Sequence, residues 1–351
     1  MKDSPLNWNL IAEEIKDEIV DFSVNINPLG IPDLVKDYLM HINGIGNRYP
    51  DSECKQLRDL LAQKYKIHPE NILCGNGADD LLYRLIFAVK PKQAVIIEPV
   101  YEEYEQVLKL FDCDVRHYML KPEDQFELNK DFRLMIKKEC DILFLCNPNN
   151  PTGKVVDRDV LMELLKICRQ NNVLAVIDEC FMEFLRDWKD YTLKDVAANM
   201  KHVIVIDAFT KTYALAGFRL GFCISGNQDL LSRIYRYGQA FSVSIPAQLA
   251  GICALMDSEY MEKTYRLIES EREWIINELK KYGVKTYSSK TNFLLIQTNE
   301  ENVVQKLLDK GIKVRDCSKF YGLDSSYCRV AIWNHSENLV LLQAFKELFV
   351  K

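Results

Sequence analysis

The chain has little that would suit a membrane or a nucleic acid. No apolar run approaches the ~20 residues needed to cross a bilayer, and the first eight residues lack the apolar core of a signal peptide. Positive charge is also scarce, since 45 Lys and Arg face 51 Asp and Glu and the net charge is −6. This balance argues against a polyanionic partner and leaves room for a local basic pocket. We therefore expect a cytoplasmic protein with neither a nucleic-acid nor a membrane partner.

Paired disulfide or metal-ligand motifs are missing as well. The eleven cysteines are scattered without any C-x-x-C pair, and the five histidines do not cluster beside them. Several cysteines, such as Cys146 and Cys223, lie inside apolar segments. This distribution is typical of reduced cysteines that serve as small apolar side chains. It predicts neither a disulfide framework nor a metal site.

Apolar sequence, in contrast, is plentiful: 48% of the 351 residues are hydrophobic, which is enough for two domains. The segment Asp157–Gln170 carries its apolar side chains at helical spacing and lies between two strand candidates. Apolar strands that alternate with such helices predict an α/β fold with a sheet covered on both faces. The strand candidates are Asn71–Cys74, Ala94–Glu98, Asp141–Cys146, Val173–Asp178, His202–Asp207 and Leu220–Ser225.

After about residue 255 the pattern becomes that of a smaller α+β lobe. A long charged helix is followed by alternating strands and helices. We therefore expect a large domain over residues 46–255, a small domain over 256–351, and an arm over 1–45 that joins the small domain. The predicted elements of the small domain are Met261–Lys281, Asn292–Gln297, Glu301–Lys310, Ile312–Arg315, Tyr327–Ile332 and Glu337–Phe349.

One segment, Asp207–Gly221, places Lys211 and Arg219 directly after an apolar strand candidate. Burial at a strand end lowers the pKa of an amine and frees its lone pair for Schiff-base chemistry. A nearby arginine suits a phosphate. An amine beside a phosphate clamp is what pyridoxal 5′-phosphate requires. Taken alone, the same residues also fit an ordinary surface loop.

Other strand ends carry groups that such a cofactor would need. Gly77, Ala78 and Asp79 lie in the turn that leads into the predicted helix Leu81–Val89, and backbone N–H groups at a helix N-terminus bind phosphate. Asp178 ends a central strand, where a carboxylate could keep a pyridine nitrogen protonated, and its neighbour Glu179 could compete for this role. Asn150 lies in the rigid turn Asn-Pro-Asn-Asn-Pro-Thr-Gly and could face a cleft. Each also has an ordinary structural interpretation, as a helix cap, a strand terminator or a turn residue.

Three further residues complete the candidate site. Tyr101 follows a strand and could stack on an aromatic ring. Arg329 alternates with apolar neighbours in its strand and could bind a substrate carboxylate or phosphate through both guanidinium nitrogens. Arg315 is a second candidate for that role, although arginines on edge strands are often only solvated.

In this order, the motifs resemble fold-type I pyridoxal-phosphate enzymes of the class I/II aminotransferase group. Gly-Asn-Gly-Ala, Pro-Val-Tyr, Asn-Pro-Asn-Asn-Pro-Thr-Gly, Ile-Asp-Glu, Thr-Lys and a late Arg-Val follow one another from about residue 20 to the end. The resemblance implies an aspartate aminotransferase-like fold, with a mixed, mostly parallel seven-stranded sheet in the large domain. It also implies bound pyridoxal 5′-phosphate and a homodimer with shared active sites.

The resemblance assigns a role to each of these residues. Lys211 would bind the cofactor covalently and carry a proton, and Asp178 would pair with the pyridine nitrogen. Arg329 would hold the substrate carboxylate. Tyr49 matches a tyrosine that family members borrow from the neighbouring subunit. The remaining cofactor contacts would come from Gly77, Ala78, Asp79, Tyr101, Asn150, Cys180, Thr210 and Arg219.

Two subgroups compete within this group, the threonine-phosphate decarboxylases of corrinoid biosynthesis and the histidinol-phosphate aminotransferases. The opening stretch from Phe22 to Gly30, which supplies Asn27 and Gly30 as substrate-binding candidates, looks more like the decarboxylases. Phe181 stands where most transaminases place a hydrogen-bonding tyrosine. Ala-Leu-Ala-Gly217 looks more like the aminotransferases, and Ala208 replaces a usual phosphate-binding hydroxyl. A phosphorylated amino acid or amine is the expected substrate.

Two further alternatives stay open. A broad amino-acid transaminase would have the same cofactor site. A non-catalytic pyridoxal-phosphate sensor would share the fold, because a fold does not determine a function.

Overall fold

A seven-stranded sheet forms the larger part of the molecule. The computed structural model describes residues 19–40, 44, 46–137 and 139–350. The first strands in chain order are β1 (Val20–Asp21), β2 (Ile72–Gly75), β3 (Gln93–Glu98), β4 (Asp114–Met119), β5 (Ile142–Cys146), β6 (Leu174–Asp178), β7 (Val203–Ala208) and β8 (Gly221–Ile224). The order in the seven-stranded sheet is β2-β8-β7-β6-β5-β3-β4, and only β8 runs antiparallel to both of its neighbours. The predicted α/β fold with a mixed, mostly parallel sheet is therefore confirmed.

The interior strands of this sheet are apolar at successive positions because both faces are covered. Along β3, Val95 and Ile97 pack into one hydrophobic cluster, and Ala94 and Ile96 pack into the other. The α-helices in the part of the chain up to Met256 are α1 (Asp33–Leu39), α2 (Lys55–Tyr65), α3 (Ala78–Val89), α4 (Glu103–Lys109), α5 (Arg158–Asn171), α6 (Lys194–Asn199), α7 (Phe209–Thr212), α8 (Gln228–Arg236) and α9 (Ile245–Met256).

A second, four-stranded antiparallel sheet follows. Its strands, in spatial order, are β12 (Arg315–Asp316), β13 (Tyr327–Ala331), β10 (Phe293–Gln297) and β9 (Lys285–Thr286). Its core forms a separate hydrophobic cluster that also takes in Phe22 from the N-terminal segment. The elements of this part are α10 (Tyr260–Lys281), β9 (Lys285–Thr286), β10 (Phe293–Gln297), α11 (Val303–Leu308), β11 (Ile312–Lys313), β12 (Arg315–Asp316), β13 (Tyr327–Ala331) and α12 (His335–Phe349).

The N-terminal segment is tied to this second sheet region through β1. Val20 and Asp21 pair in parallel with Ile312 and Lys313 of β11. The predicted single strand Ile312–Arg315 is wrong, because β11 bonds to β1 whereas β12 bonds to β13 in the other sheet. Much of the arm predicted over residues 1–45 lies outside the described residues.

The structure also describes the pairing and burial of the cysteines, the apolar length of the helices and the grouping of side chains that bind metals. All eleven cysteines are free, and all but Cys180 are buried. Within the described ranges, no helix is long and apolar enough to cross a membrane. The same part of the chain shows no group of three or more His, Cys, Asp or Glu side chains that could hold a metal ion.

Candidate active site

A cavity of about 410 Å³ opens where the central parallel strands end. β6 and β7 are neighbours, with Asp178 opposite Ile206, so the residues after these strands converge at one edge of the sheet. The cavity thereby brings together most of the residues predicted for the site: Ala78, Asp79, Tyr101, Asn150, Asp178, Cys180, Thr210, Lys211, Arg219, Arg315 and Arg329.

Lys211 reaches the cavity from α7, the single turn of helix that follows β7. Burial lowers the pKa of its amine, and the positive charges of Arg329 and Arg219 lower it further. A lowered pKa increases the fraction of neutral amine near pH 7, and the neutral amine is the nucleophilic form.

Asp178 is held by two hydrogen bonds at the end of β6. The Cys180 backbone N–H donates to Oδ1 over 2.9 Å, and the Tyr104 hydroxyl donates to Oδ2. Burial raises the pKa of the Asp178 carboxyl, while both of these contacts oppose that rise by stabilising the carboxylate. The sequence analysis missed Tyr104, which lies in α4 three residues after Tyr101, with its ring 5.9 Å from the Tyr101 ring.

The turn before α3 forms a backbone cradle near Arg219. Gly77 caps α3 with φ +92°, a conformation that favours glycine. A Cβ on Gly77 would lie 2.8 Å from an Arg219 guanidinium nitrogen, and a Cβ on Gly221 would lie 2.6 Å from the Gly77 carbonyl carbon. Without these side chains the helix N-terminus stays open to an anion. The Arg219 guanidinium lies 3.4 Å from the Asp79 carboxylate.

Arg329 is buried at the other side of the cavity, with 6% of its surface exposed. Its guanidinium donates to the Asn150 side-chain oxygen and, over 2.6 Å, to the Ser23 carbonyl. Its Nε has no hydrogen-bond partner among the residues that the structure describes. Burial lowers the pKa of this guanidinium to about 10, which leaves it charged at neutral pH.

Arg315 lies beside Arg329, because the two residues pair across β12 and β13. Its guanidinium is 3.6 Å from the Glu102 carboxylate, and it packs over the Phe320 ring. Both arginines line the cavity, so this wall carries two positive charges.

The N-terminal segment contributes Asn25 rather than the two residues expected from it. Asn25 lines the cavity, is 2% exposed, and its Oδ1 lacks a hydrogen-bond partner within the described part of the chain. Asn27 does not line the cavity, because its Nδ2 donates to the Thr212 carbonyl and to Thr264 Oγ1. Gly30 is also outside it. The sequence analysis predicted Asn27 for the substrate site, whereas in the structure Asn27 supports the backbone next to Lys211 and Asn25 lines the cavity.

Tyr49 does not line the cavity of its own chain. Its surface is 83% exposed, and its ring lies 4.8 Å from that of Phe241. Tyr101 and Cys180, the other two residues predicted to contact the cofactor ring, do line the cavity. Phe181 is there too, against Phe293, and offers no hydrogen-bond donor.

Comparisons with known proteins agree with this geometry. The family model described as aminotransferase class I and II matches residues 17–345. The threonine-phosphate decarboxylase of Salmonella typhimurium is 33% identical, over 95% of this chain and 92% of that protein. The histidinol-phosphate aminotransferase of Thermoanaerobacter pseudethanolicus is 30% identical, over 97% and 99%. The crystal structure of the histidinol-phosphate aminotransferase from Clostridium acetobutylicum superposes with a TM-score of 0.88 at 28% identity, over 94% of this chain and 99% of that one.

Proposed function

The chain belongs to the aminotransferase class I and II family, whose members are pyridoxal 5′-phosphate enzymes, and within this family we propose that it decarboxylates L-threonine O-3-phosphate. The protein is an enzyme of this cofactor class, and its relatives include both decarboxylases and aminotransferases. The proposal concerns which reaction this chain performs and which of its residues take part.

The cavity residues fit the cofactor. Lys211 offers an amine of lowered pKa, and Asp178 offers a half-buried carboxylate at the end of the neighbouring parallel strand. The Gly77 turn and Arg219 offer an anion site that a Cβ would fill. When bound, pyridoxal phosphate supplies an electron-accepting ring that stabilises negative charge at the substrate Cα.

Each side chain then has a defined task. Asp178 would hold a proton at the pyridine nitrogen, and the Tyr104 hydroxyl, which donates to Asp178, fixes the orientation of that carboxylate. The Asn150 side-chain oxygen accepts from Arg329, so its NH₂ group would be the donor to the ring oxygen. Lys211 would hold the proton that is delivered to Cα. The remaining cofactor contacts are Ala78, Asp79, Tyr101, Cys180 and Thr210, which line the same cavity.

The pair Arg315 and Arg329 is the observation that supports the choice of substrate. Two guanidinium groups on neighbouring strands suit a molecule with two anionic groups, and threonine phosphate has a carboxylate and a phosphate. Histidinol phosphate has only the phosphate, so the pair favours threonine phosphate as the phosphorylated substrate, although glutamate and 2-oxoglutarate, the partners in transamination, also carry two carboxylates. We assign the carboxylate to Arg329 and the phosphate to Arg315, with Asn25 accepting a hydrogen bond from the substrate. The Cα–carboxylate bond breaks, CO₂ leaves, and a proton at Cα gives (R)-1-amino-2-propanol phosphate, a corrinoid precursor.

Transamination of histidinol phosphate is the second candidate. The solved histidinol-phosphate aminotransferase at 28% identity, with its TM-score of 0.88, favours it. Both reactions use the same cofactor site. They differ in whether the carboxylate or the hydrogen on Cα lies perpendicular to the ring, and this orientation depends on small differences in substrate placement.

Steady release of CO₂ from threonine phosphate is the expected result that separates the two reactions. Purified holoenzyme is given L-threonine O-3-phosphate without any oxo acid, and CO₂ is followed over many turnovers. Release that continues beyond one equivalent per site supports the decarboxylase. An absence of CO₂, together with conversion of the absorbance to that of the pyridoxamine form by histidinol phosphate or glutamate, would establish the aminotransferase instead.

Arg315→Gln provides a matched test of the substrate assignment. Loss of one charge-assisted hydrogen-bonding group costs ~1.5–3 kcal/mol, so we expect KM for threonine phosphate to rise by roughly 10- to 100-fold. Lys319→Gln, a charge change on the same segment that does not line the cavity, is the control. Equal KM values for the two variants would remove Arg315 from the substrate site.

We further propose a homodimer in which Tyr49 enters the cavity of the neighbouring subunit. The support is its 83% exposure in a chain whose own cavity it does not line. Light scattering should give twice the 40.8 kDa chain mass. Mixing inactive Tyr49→Ala protein with inactive Lys211→Ala protein should restore about a quarter of wild-type activity per site by forming one intact site in each mixed dimer. A monomer, or no restoration after subunit exchange, would refute the shared site.

A further inference from the structure

A buried group of charged side chains lies beside the segment that carries Lys211, outside the cavity. It contains two lysines and three carboxylates, none of which lines the cavity. We call it the ion cluster. Such a group is costly to bury unless its members are paired. Its members are Lys64, Glu179, Glu183, Lys194 and Asp207.

Lys194 occupies the centre of the cluster, where 1% of its side chain is exposed. Its ammonium lies 2.8 Å from Glu179 and 2.8 Å from Asp207. Glu179 is the residue after Asp178, and Asp207 lies four residues before Lys211. A single ammonium therefore joins the strand end that carries the acid to the strand end that carries the active-site lysine.

The carboxylates that Lys194 joins are themselves attached to the backbone. Glu179 accepts hydrogen bonds of 2.6 Å from Thr192 Oγ1 and from the Leu193 N–H. Asp207 accepts a 2.6 Å hydrogen bond from the Ala208 N–H. Movement of the Lys194 ammonium would thus be transmitted to both backbone segments.

The second lysine reaches the other end of the Lys211 segment. Lys64 donates to Glu183 over 2.6 Å and to the Tyr213 hydroxyl over 2.8 Å. Glu183 also accepts from the Tyr65 hydroxyl over 2.6 Å and from Tyr213 over 3.3 Å. Tyr213 follows Lys211 by two residues, so the chain is held on both sides of Lys211.

We propose that Lys194 and Lys64 are positioning residues that hold the Lys211 segment from its two ends. Asp207 is the attachment point before Lys211, and Tyr213 is the attachment point after it. α7 is a single turn of four residues between them and has too few internal hydrogen bonds to fix a side chain by itself. The inference holds for either reaction considered above, since both depend on Lys211.

The precise placement of neighbouring groups explains such a cluster better than a gain in folding stability does. Buried ion pairs replaced by apolar side chains of similar size are often neutral or stabilising. The cluster, in addition, holds three carboxyl groups against two ammonium groups, and burial raises the pKa of the Asp207 carboxyl to about 7. A displacement of about 1 Å in a reacting group can cost about 100-fold in rate, which gives precise placement a strong effect.

Lys194→Met tests the proposal because it keeps the length of the side chain and removes its charge. Two readouts need no substrate and so do not depend on the proposed reaction. They are the rate at which pyridoxal phosphate is captured by the cofactor-free chain, followed by absorbance, and amide hydrogen exchange over residues 207–213 in the holoenzyme. We expect capture to slow by about 10- to 100-fold, with faster exchange confined to the segments joined by Lys194. In turnover, kcat should fall while KM stays within about twofold.

A double variant distinguishes positioning from the cost of an unpaired buried charge. Lys194→Met combined with Asp207→Asn removes the unpaired carboxylate at the Lys211 segment but does not restore the bridge. Its capture rate should therefore stay as low as that of Lys194→Met alone, and recovery to the wild-type rate would overturn the proposal. Lys310→Met, which breaks an ion pair with Glu347 in the second sheet region, should change neither readout. If Lys194→Met does not fold, Lys64→Met tests the other end, since that side chain is 24% exposed. Normal capture in the folded variant, or exchange that rises equally throughout the molecule, would overturn the proposal.

Discussion

Lys211→Ala loses turnover by about 10²- to 10⁴-fold or more, the largest loss that we expect from a single substitution. In the proposed mechanism, the amine is both the covalent attachment point of the cofactor and the group that carries the proton to Cα, and positioned proton transfer alone contributes about this factor. The measurement is CO₂ release under saturating threonine phosphate, together with the absorbance of the purified protein. The variant should retain its fold, because alanine suits α7, and should lose the absorbance of the covalently bound cofactor.

The control for this change is Lys290→Ala, which removes an exposed lysine with no place in the cavity. Its kcat should equal that of the wild type. A Lys211→Ala protein that kept full biological activity would contradict the catalytic assignment. It would favour instead a protein that senses pyridoxal phosphate on an enzyme fold.

Asp178→Asn is the second substitution with a large expected effect, a loss of about 10²- to 10³-fold in kcat. The amide has nearly the same shape as the carboxylate but carries no negative charge. The pyridine nitrogen would then lose the partner that keeps it protonated, and the ring would accept electrons poorly. KM should change much less, because Asp178 is assigned to the cofactor and the substrate groups are assigned to Arg315 and Arg329.

Tyr104→Phe is the matched partner of this substitution. It removes the hydroxyl that donates to Asp178 and leaves the charge in place. The expected loss is roughly tenfold, the effect of one hydrogen bond to a charged group. Asp178→Asn with wild-type kcat, or Tyr104→Phe with the larger loss of the two, would show that the carboxylate does not act through its charge.

The chemistry at the strand ends was predictable because a buried parallel strand has a strong local pattern. β6 is apolar up to Asp178 and β7 is apolar up to Asp207, so the polar residues at and after these strand ends, such as Asp178 and Lys211, stand out in the sequence. The same rule failed for β4, which is a half-buried edge strand with the polar sequence Asp-Val-Arg-His-Tyr-Met. One covered face gives no continuous apolar run.

Contacts between distant segments were not predictable in the same way. Asn25 and Asn27 are both polar residues two positions apart, and only the packing of the N-terminal segment decides which one faces the cavity. The ion cluster joins Lys64 to Glu183, 119 residues apart, and no local pattern marks such a pair. The assignment of β11 and β12 to different sheets likewise depends on where β1 lies.

The hydrogen bond between Arg329 and the Ser23 carbonyl has a consequence for synthesis, because it joins residues 306 positions apart. Chains grow from the N-terminus at roughly 5–20 residues per second, so Ser23 precedes its partner by about 15–60 seconds. The last strand of the large sheet ends at Ile224, well before Arg329 is made. On the ribosome, the residues assigned to the cofactor are therefore made before Arg329, and the wall of the cavity assigned to the substrate is completed only when Arg329 has been added.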